Sequence, residues 1–144
     1  MKLYLIELEC IKIDPDTIQS AQWTTVMPDS YSGGKVKASY LWTTSGSNSG
    51  NVVWGLQGRS YGDGEGIDQV WGTGQDIVAP ATGTANDVII EGPSADIEFS
   101  GTPAGGEMIQ FRMYRLADSG NDTLIEDAFL IGIKVEYPVD SYSD

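Results

Sequence analysis

Two neighbouring stretches, MIQFRMYRL at residues 108–116 and AFLIGIKVEY at residues 128–137, decide the fold. In both stretches apolar and polar residues alternate, which is typical of a β-strand with one buried face. The predicted buried face carries Ile109, Phe111 and Met113 in the first stretch and Phe129, Ile131, Ile133, Val135 and Tyr137 in the second. The polar residues 117–122, ADSGND, separate the two stretches and favour a turn. We therefore predict that they pair as a β-hairpin.

Short strands separated by Gly, Pro and Asn turns continue upstream of this hairpin. The predicted strands are residues 23–27, 35–42, 51–60, 76–78, 87–91 and 95–99. With the hairpin they make about eight, and regularly spaced short strands with turn signals indicate a sandwich or barrel. We predict an all-β fold, a jelly-roll-like antiparallel β-sandwich of about eight strands. Four aromatic side chains on its apolar faces are predicted to fill the core, namely Trp23, Tyr40, Trp42 and Trp54.

Residues 1–20 are predicted to form an N-terminal strand or arm in front of a sandwich domain of residues 21–144. Apolar positions in this segment shift from one face, Tyr4 to Cys10, to the other face at Ile11 and Ile13. A bulge within a strand explains the shift, and so does burial of both faces against a neighbouring subunit. The candidate partner contacts in the segment are Leu3, Leu5 and Ile6.

The chain is strongly acidic. Eight basic and 21 acidic residues give a formal net charge of −13. Such a chain repels a phosphate backbone, so nucleic acid is not an expected partner. The first residues, MKLYLIELEC, are too few and too charged for a secretory signal or a membrane span. We expect cytoplasmic synthesis and no membrane partner.

The residue types needed for several kinds of active site are absent from the sequence. There is no histidine and Cys10 is the one cysteine, which excludes Ser-His-Asp triads, His-ligated metals and thiolate clusters. We predict no catalytic residue, no cofactor and no metal ligand. The acids of residues 63–68 are interpreted as a solvated loop rather than a glycosidase carboxylate pair. For residues 118–122, DSGND, a hairpin turn is favoured over a calcium loop.

Three aromatic residues in glycine-rich loops are the candidate contacts of the sandwich domain. Tyr31, Tyr61 and Trp71 lie where an aromatic ring needs a partner to become buried. We predict that they contact another subunit or a ligand.

Several short strings occur in a characteristic order along the chain. They are VMP (26–28), YLWT (40–43), VVWG (52–55), WGT (71–73), AND (85–87), GTPAG (101–105), FRMYR (111–115), DTL (122–124) and DAFLIG (127–132). This ordered set resembles small, jelly-roll-like β-sandwich virion structural proteins encoded by tailed bacteriophages, mostly of unassigned function. The resemblance covers residues 22–137 and rests on the set rather than on any single motif. It implies a virion component and carries over no catalytic residue.

Together, these observations favour a capsid decoration (cement) protein. We expect a homotrimer bound to the major capsid protein on the outside of the shell, made in the host cytoplasm and located in the virion. The alternative is a receptor-binding or tail-fibre module that binds host-surface glycan through Tyr31, Tyr61, Trp71 and the acidic loop of residues 63–68. A third hypothesis, an enzyme acting on polysaccharide, rests on the acidic loop alone.

Overall fold

A computed structural model describes residues 2–139, and for residues 2–10 it describes the backbone only. The strands are β1 (Lys2–Ile13), β2 (Gln19–Val26), β3 (Lys37–Thr44), β4 (Asn51–Tyr61), β5 (Gln75–Pro80), β6 (Ile89–Glu91), β7 (Met108–Arg115) and β8 (Ala128–Tyr137). No helix occurs within this described part, so none there could cross a membrane.

The eight strands form two antiparallel sheets of four strands each. The first sheet has the order β1-β8-β3-β6 and the second has the order β2-β7-β4-β5. Within them β1 pairs with β8, β2 with β7, β3 with β6 and β4 with β5, as in one long hairpin rolled into two layers. This is the jelly-roll arrangement, and it confirms the predicted eight-stranded β-sandwich.

The predicted hairpin between residues 108–116 and 128–137 is wrong. Both strands exist, but β7 lies in the second sheet between β2 and β4, whereas β8 lies in the first sheet between β1 and β3. Alternation of apolar and polar residues shows that a strand has one solvent-exposed face, but it does not show which other strand pairs with it. The predicted strand at residues 95–99 is also wrong, because this segment makes only an isolated bridge from Ile97 to Val36.

A bulge in β8 changes which of its side chains are buried. Leu41 pairs with Gly132 and Trp42 pairs with Leu130, so Ile131 is an extra residue in β8. The alternation therefore changes phase there, and the predicted burial of Phe129 and Ile131 is wrong. The later residues of the same predicted face are buried as expected, namely Ile133, Val135 and Tyr137.

The N-terminal segment is a strand of the first sheet. Its backbone pairs with β8 from Lys2, opposite Tyr137, to Ile13, opposite Ala128. The register shifts between Glu7 and Ile11, which confirms the predicted bulge. The separation of residues 1–20 from the sandwich as a unit of its own stays a prediction.

The core between the sheets is centred on aromatic side chains. Trp54 packs edge-on against Trp42, with ring centroids 5.8 Å apart, and stacks with Tyr40 at 6.1 Å. All three are fully buried, as predicted. Trp23 is partly buried and stacks on Phe111 at the side of this cluster. Aromatic contacts of this kind add to the free energy gained from burial alone.

Candidate ligand-binding face

The structure places two of the three aromatic residues that the sequence predicts as contacts beside one arginine. The guanidinium carbon of Arg59 lies 5.7 Å from the centroid of the Tyr61 ring and also lies over the Trp71 ring, whereas Tyr31 lies beside Tyr137. Tyr31 and Tyr61 are each only 5% exposed, whereas Trp71 is half-buried. The Tyr61 hydroxyl donates a hydrogen bond to the carbonyl of Ile67 at 2.8 Å, and the Tyr31 hydroxyl donates to the carbonyl of Gly34. Burial also raises the pKa of Tyr31. Both hydroxyl groups therefore fasten loops, and the predicted contacts of the two tyrosines with a partner stay predictions.

The three N-terminal candidates can be placed by their backbone alone. In β1, Leu3 pairs with Glu136, Leu5 with Lys134 and Ile6 with Ile133. Their side chains lie outside the described residues, so their predicted contacts stay predictions.

Trp71 lies on the outer face of the second sheet, against two arginines. The guanidinium carbon of Arg59 is 4.1 Å from the centroid of the Trp71 ring, and that of Arg112 is 4.8 Å from it. Both distances are within the range of a cation–π contact. We call Arg59, Trp71 and Arg112 the arginine platform.

Strand pairing brings the two arginines of the platform together. Arg59 on β4 pairs with Gln110 on β7, and Gln57 on β4 pairs with Arg112 on β7. Residues two apart on a strand share a face, so the two arginines and the two glutamines form a group of four neighbours on the outer surface. The two arginines are diagonal neighbours within this group. The sequence predicts that each arginine faces outward, but their proximity depends on the pairing of β4 with β7.

Neutral oxygen atoms orient both guanidinium groups. Arg59 donates from Nε to the side-chain oxygen of Gln110 at 2.8 Å and from Nη1 to the carbonyl of Gln69 at 2.7 Å. Arg112 donates from Nε and Nη2 to the side-chain oxygen of Gln57, at 2.9 and 2.5 Å. Within residues 11–139, no carboxylate forms an ion pair with either group. Neither guanidinium therefore has a directly bonded counter-charge among these residues.

A glycine fixes the loop that carries Trp71. The amide of Gly72 donates to the carbonyl of Gly58 at 3.0 Å, which holds the loop along β4. A Cβ on Gly72 would lie 2.3 Å from the carbonyl oxygen of Glu98, so the close approach requires glycine. On the other side of Trp71, Ser100 donates its hydroxyl to the carbonyl of Val70 at 2.5 Å. The loop is held on both sides of the ring.

An open groove of about 430 Å³ borders the platform. It is lined by Ile18, Ser20, Gln57, Arg112, Tyr114 and Leu116. The Tyr114 hydroxyl donates to a carboxylate oxygen of Asp76 at 2.7 Å. Burial and this carboxylate raise the pKa of Tyr114, which keeps the phenol protonated. The groove thus offers the Ser20 hydroxyl and the Tyr114 phenol oxygen beside one guanidinium.

The acidic loops have local structural roles. Glu65 accepts hydrogen bonds from the amide of Gly62 at 2.9 Å and from the Gln69 side chain at 3.2 Å. Asp122, at the end of the DSGND stretch, is buried against Arg115 with an N–O distance of 2.8 Å. Its carboxylate is therefore already neutralised, which supports the turn rather than the calcium loop. In the described part of the chain, no group of three acidic or cysteine residues is arranged to hold a metal ion.

The comparisons with known proteins give only a distant structural likeness. No protein-family model matches the chain, and no curated protein matches it. A chain in the structure of infectious bursal disease virus, Gx strain, superposes with a TM-score of 0.41 at 14% sequence identity. The superposition covers 93% of the present chain and 31% of the viral chain.

Proposed function

We propose that the chain is a virion structural protein of a tailed bacteriophage and that it decorates the outside of the capsid. The observation that carries the proposal is β1, a strand of 12 residues at the edge of the first sheet. An edge strand presents unpaired backbone N–H and C=O groups, and a long apolar edge is the kind to which a neighbouring chain adds a strand. The other edge of the same sheet, β6, has three residues and offers far less.

The outer face of the first sheet supports the same role. Leu41 pairs with Ile90 and, on its other side, with Gly132, next to the bulged Ile131. Ile90 is 65% exposed and Ile131 is 37% exposed, and the half-buried Phe129 lies on the same face. The strand that carries Phe129 and Ile131, β8, lies next to the edge strand β1 in this sheet. An apolar sheet face beside an open edge suits contact with a protein neighbour.

The acidic charge complements this arrangement. A net charge of −13 keeps free copies apart in solution. Contact then depends on a surface whose apolar area and open edge outweigh the repulsion. We propose that this surface meets the major capsid protein and further copies of the chain, as a homotrimer, and that the protein has no catalytic activity.

One matched pair of substitutions tests the contact surface. Ile131→Lys places a charge on the outer face of the first sheet, and Val78→Lys places the same charge on the second sheet at nearly equal exposure, 37% against 40%. We expect Ile131→Lys to weaken trimer formation and capsid binding by about tenfold or more, because it buries a lysine at the contact, and Val78→Lys to leave both unchanged. Mass photometry and co-sedimentation with capsids measure the two effects. Equal behaviour of the two variants would contradict the proposed surface.

Localisation on virions tests the function itself. Gold-labelled antibodies against the chain should cover the head in a regular array. A second candidate, a receptor-binding module, is favoured by the solvent-facing arginine platform around Trp71. It predicts label at the tail tip, and that result would replace the first proposal with the second.

A further inference from the structure

We propose that the arginine platform and its groove bind a carboxylate-bearing saccharide, with the carboxylate held between Arg59 and Arg112. The site lies on the sheet opposite the proposed capsid contact, and the inference does not depend on that contact.

Unused hydrogen-bond donors are the first argument for a ligand. Among the described residues, no acceptor lies within hydrogen-bonding distance of Nη2 of Arg59 or Nη1 of Arg112. Neither atom is among the buried polar atoms that lack a partner, so both reach solvent. Each of these nitrogens carries N–H groups that can donate to one carboxylate oxygen, so a carboxylate between the two arginines would accept one charge-assisted hydrogen bond from each.

The second argument is that the protein holds two like charges together and that neither forms an ion pair with an acid of residues 11–139. Their guanidinium carbons lie 4.1 and 4.8 Å from one ring centroid. Glutamine side chains and the indole ring orient the groups but carry no net charge. An incoming anion therefore gains attraction from both guanidiniums, and little freedom of the side chains remains to be lost when it binds.

The composition of the groove selects a saccharide over an acidic peptide. Beside Arg112 the groove offers the Ser20 hydroxyl and the phenol oxygen of Tyr114 as an acceptor, which match sugar hydroxyls, whereas the Gln57 amide is already bonded to Arg112 and Gly72. A peptide of acidic residues brings few hydroxyl groups to meet these side chains. Each unit of an acidic saccharide brings one carboxylate together with several hydroxyls, so it can use both the guanidiniums and the groove.

Calorimetric titration with trigalacturonate tests the site, with the methyl ester of the same trisaccharide as the uncharged probe. We expect trigalacturonate to bind and the ester to bind at least about tenfold more weakly, because a charged hydrogen-bonded pair contributes about 1.4 kcal/mol or more. Arg112→Gln should weaken binding by a similar factor. Lys134→Gln removes one positive charge from the outer face of the first sheet and is the matched control, with a change below about twofold.

Each alternative outcome is decisive. Equal binding of the acid and the ester, or equal losses in Arg112→Gln and Lys134→Gln, would overturn the site. Tighter binding of triglutamate than of trigalacturonate would assign it to an acidic peptide and overturn the saccharide. Absence of heat at about 10 mM trigalacturonate would also overturn it. Even a weak site with a Kd of about 1 mM, or about −4.1 kcal/mol, would be mostly occupied at that concentration. If Arg112→Gln does not fold, Arg59→Gln, on a different strand, repeats the test.

Discussion

The buried ion pair between Arg115 and Asp122 should be one of the largest single-site contributions to stability. Arg115 ends β7 on the inner face and is 0% exposed. Its Nε and Nη2 donate to the two carboxylate oxygens of Asp122 at 3.0 and 2.8 Å. Its remaining N–H groups reach the carbonyls of Ile13, Leu124 and Glu126. The pair thus fastens the connection from β7 to β8, and it also joins the end of β1.

Replacing Asp122 by asparagine leaves a buried guanidinium without its counter-charge. Such a loss costs about 3–5 kcal/mol, although the intact pair need not be more stable than an apolar one. Asp122 also accepts the backbone amide of Val53 at 3.0 Å, so β4 loses an anchor as well. The matched control is Asp127→Asn, which breaks the exposed pair with Lys12. An exposed pair contributes about 1 kcal/mol at most.

Urea unfolding followed by tryptophan fluorescence measures both variants. With a slope of about 1–3 kcal/mol per molar urea, Asp122→Asn should lower the midpoint by more than about 1 M, and Asp127→Asn should barely move it. The double variant Arg115→Met with Asp122→Asn should lose less than the sum of the two single losses, because the residues act as one unit. Similar midpoints for Asp122→Asn and Asp127→Asn, or additive losses in the double variant, would refute the reasoning.

Two further substitutions probe the core and the second sheet. The Tyr40 hydroxyl is buried with no hydrogen-bond partner among the described residues, so Tyr40→Phe should change the unfolding free energy at neutral pH by less than about 1 kcal/mol. Burial raises the pKa of Tyr40 in the folded protein above its ordinary value of about 10. The stability that comes from keeping this phenol neutral is therefore present below about pH 10 and is lost as the pH rises through the pKa of the folded state. Urea midpoints at alkaline pH should fall less in Tyr40→Phe than in the unmodified protein. A Cβ on Gly55 would lie 2.2 Å from the Tyr114 ring, so Gly55→Ala should cost about 1–3 kcal/mol by urea unfolding, and Gly120→Ala, in open space, should cost less than about 0.5 kcal/mol. A cost for Gly55→Ala that is unchanged when Tyr114 is also replaced by alanine would contradict the proposed clash.

Local alternation predicts the strands well, because period two is a property of each strand by itself. Residues 108–116 and 128–137 were predicted to be strands, and β7 and β8 match these bounds within one residue. The pairing of these strands depends on the whole chain, since β7 and β8 each pair with strands far away in sequence. For the same reason the bulge at Ile131 could not be predicted, because it depends on the partners β1 and β3.

The candidate site could be predicted only in part. A position among glycines marks Trp71 as a candidate contact, but it marks Tyr31 and Tyr61 equally. In the structure the latter two are buried, and their hydroxyl groups form hydrogen bonds across their own loops. No local signal separates the three. Arg115 does carry a usable signal, since it continues the inward phase of Ile109, Phe111 and Met113. An inward-facing arginine requires a nearby acid, and within the following turn Asp122 is close enough to supply it.

The two outer faces of the sandwich differ in chemistry. Both inner faces must be apolar because they form the shared core, whereas packing places no such requirement on the outer faces. The first sheet ends in the long edge strand β1 and carries Ile90 and Ile131 outward, whereas the second carries Arg59 and Arg112. Face-to-face sheets lie about 10 Å apart, so a protein on one outer face leaves the other in solvent. A jelly roll held to a shell by its first sheet would therefore present the arginine platform away from that shell. Attachment and ligand binding are thus compatible in one small domain, because each uses a different sheet.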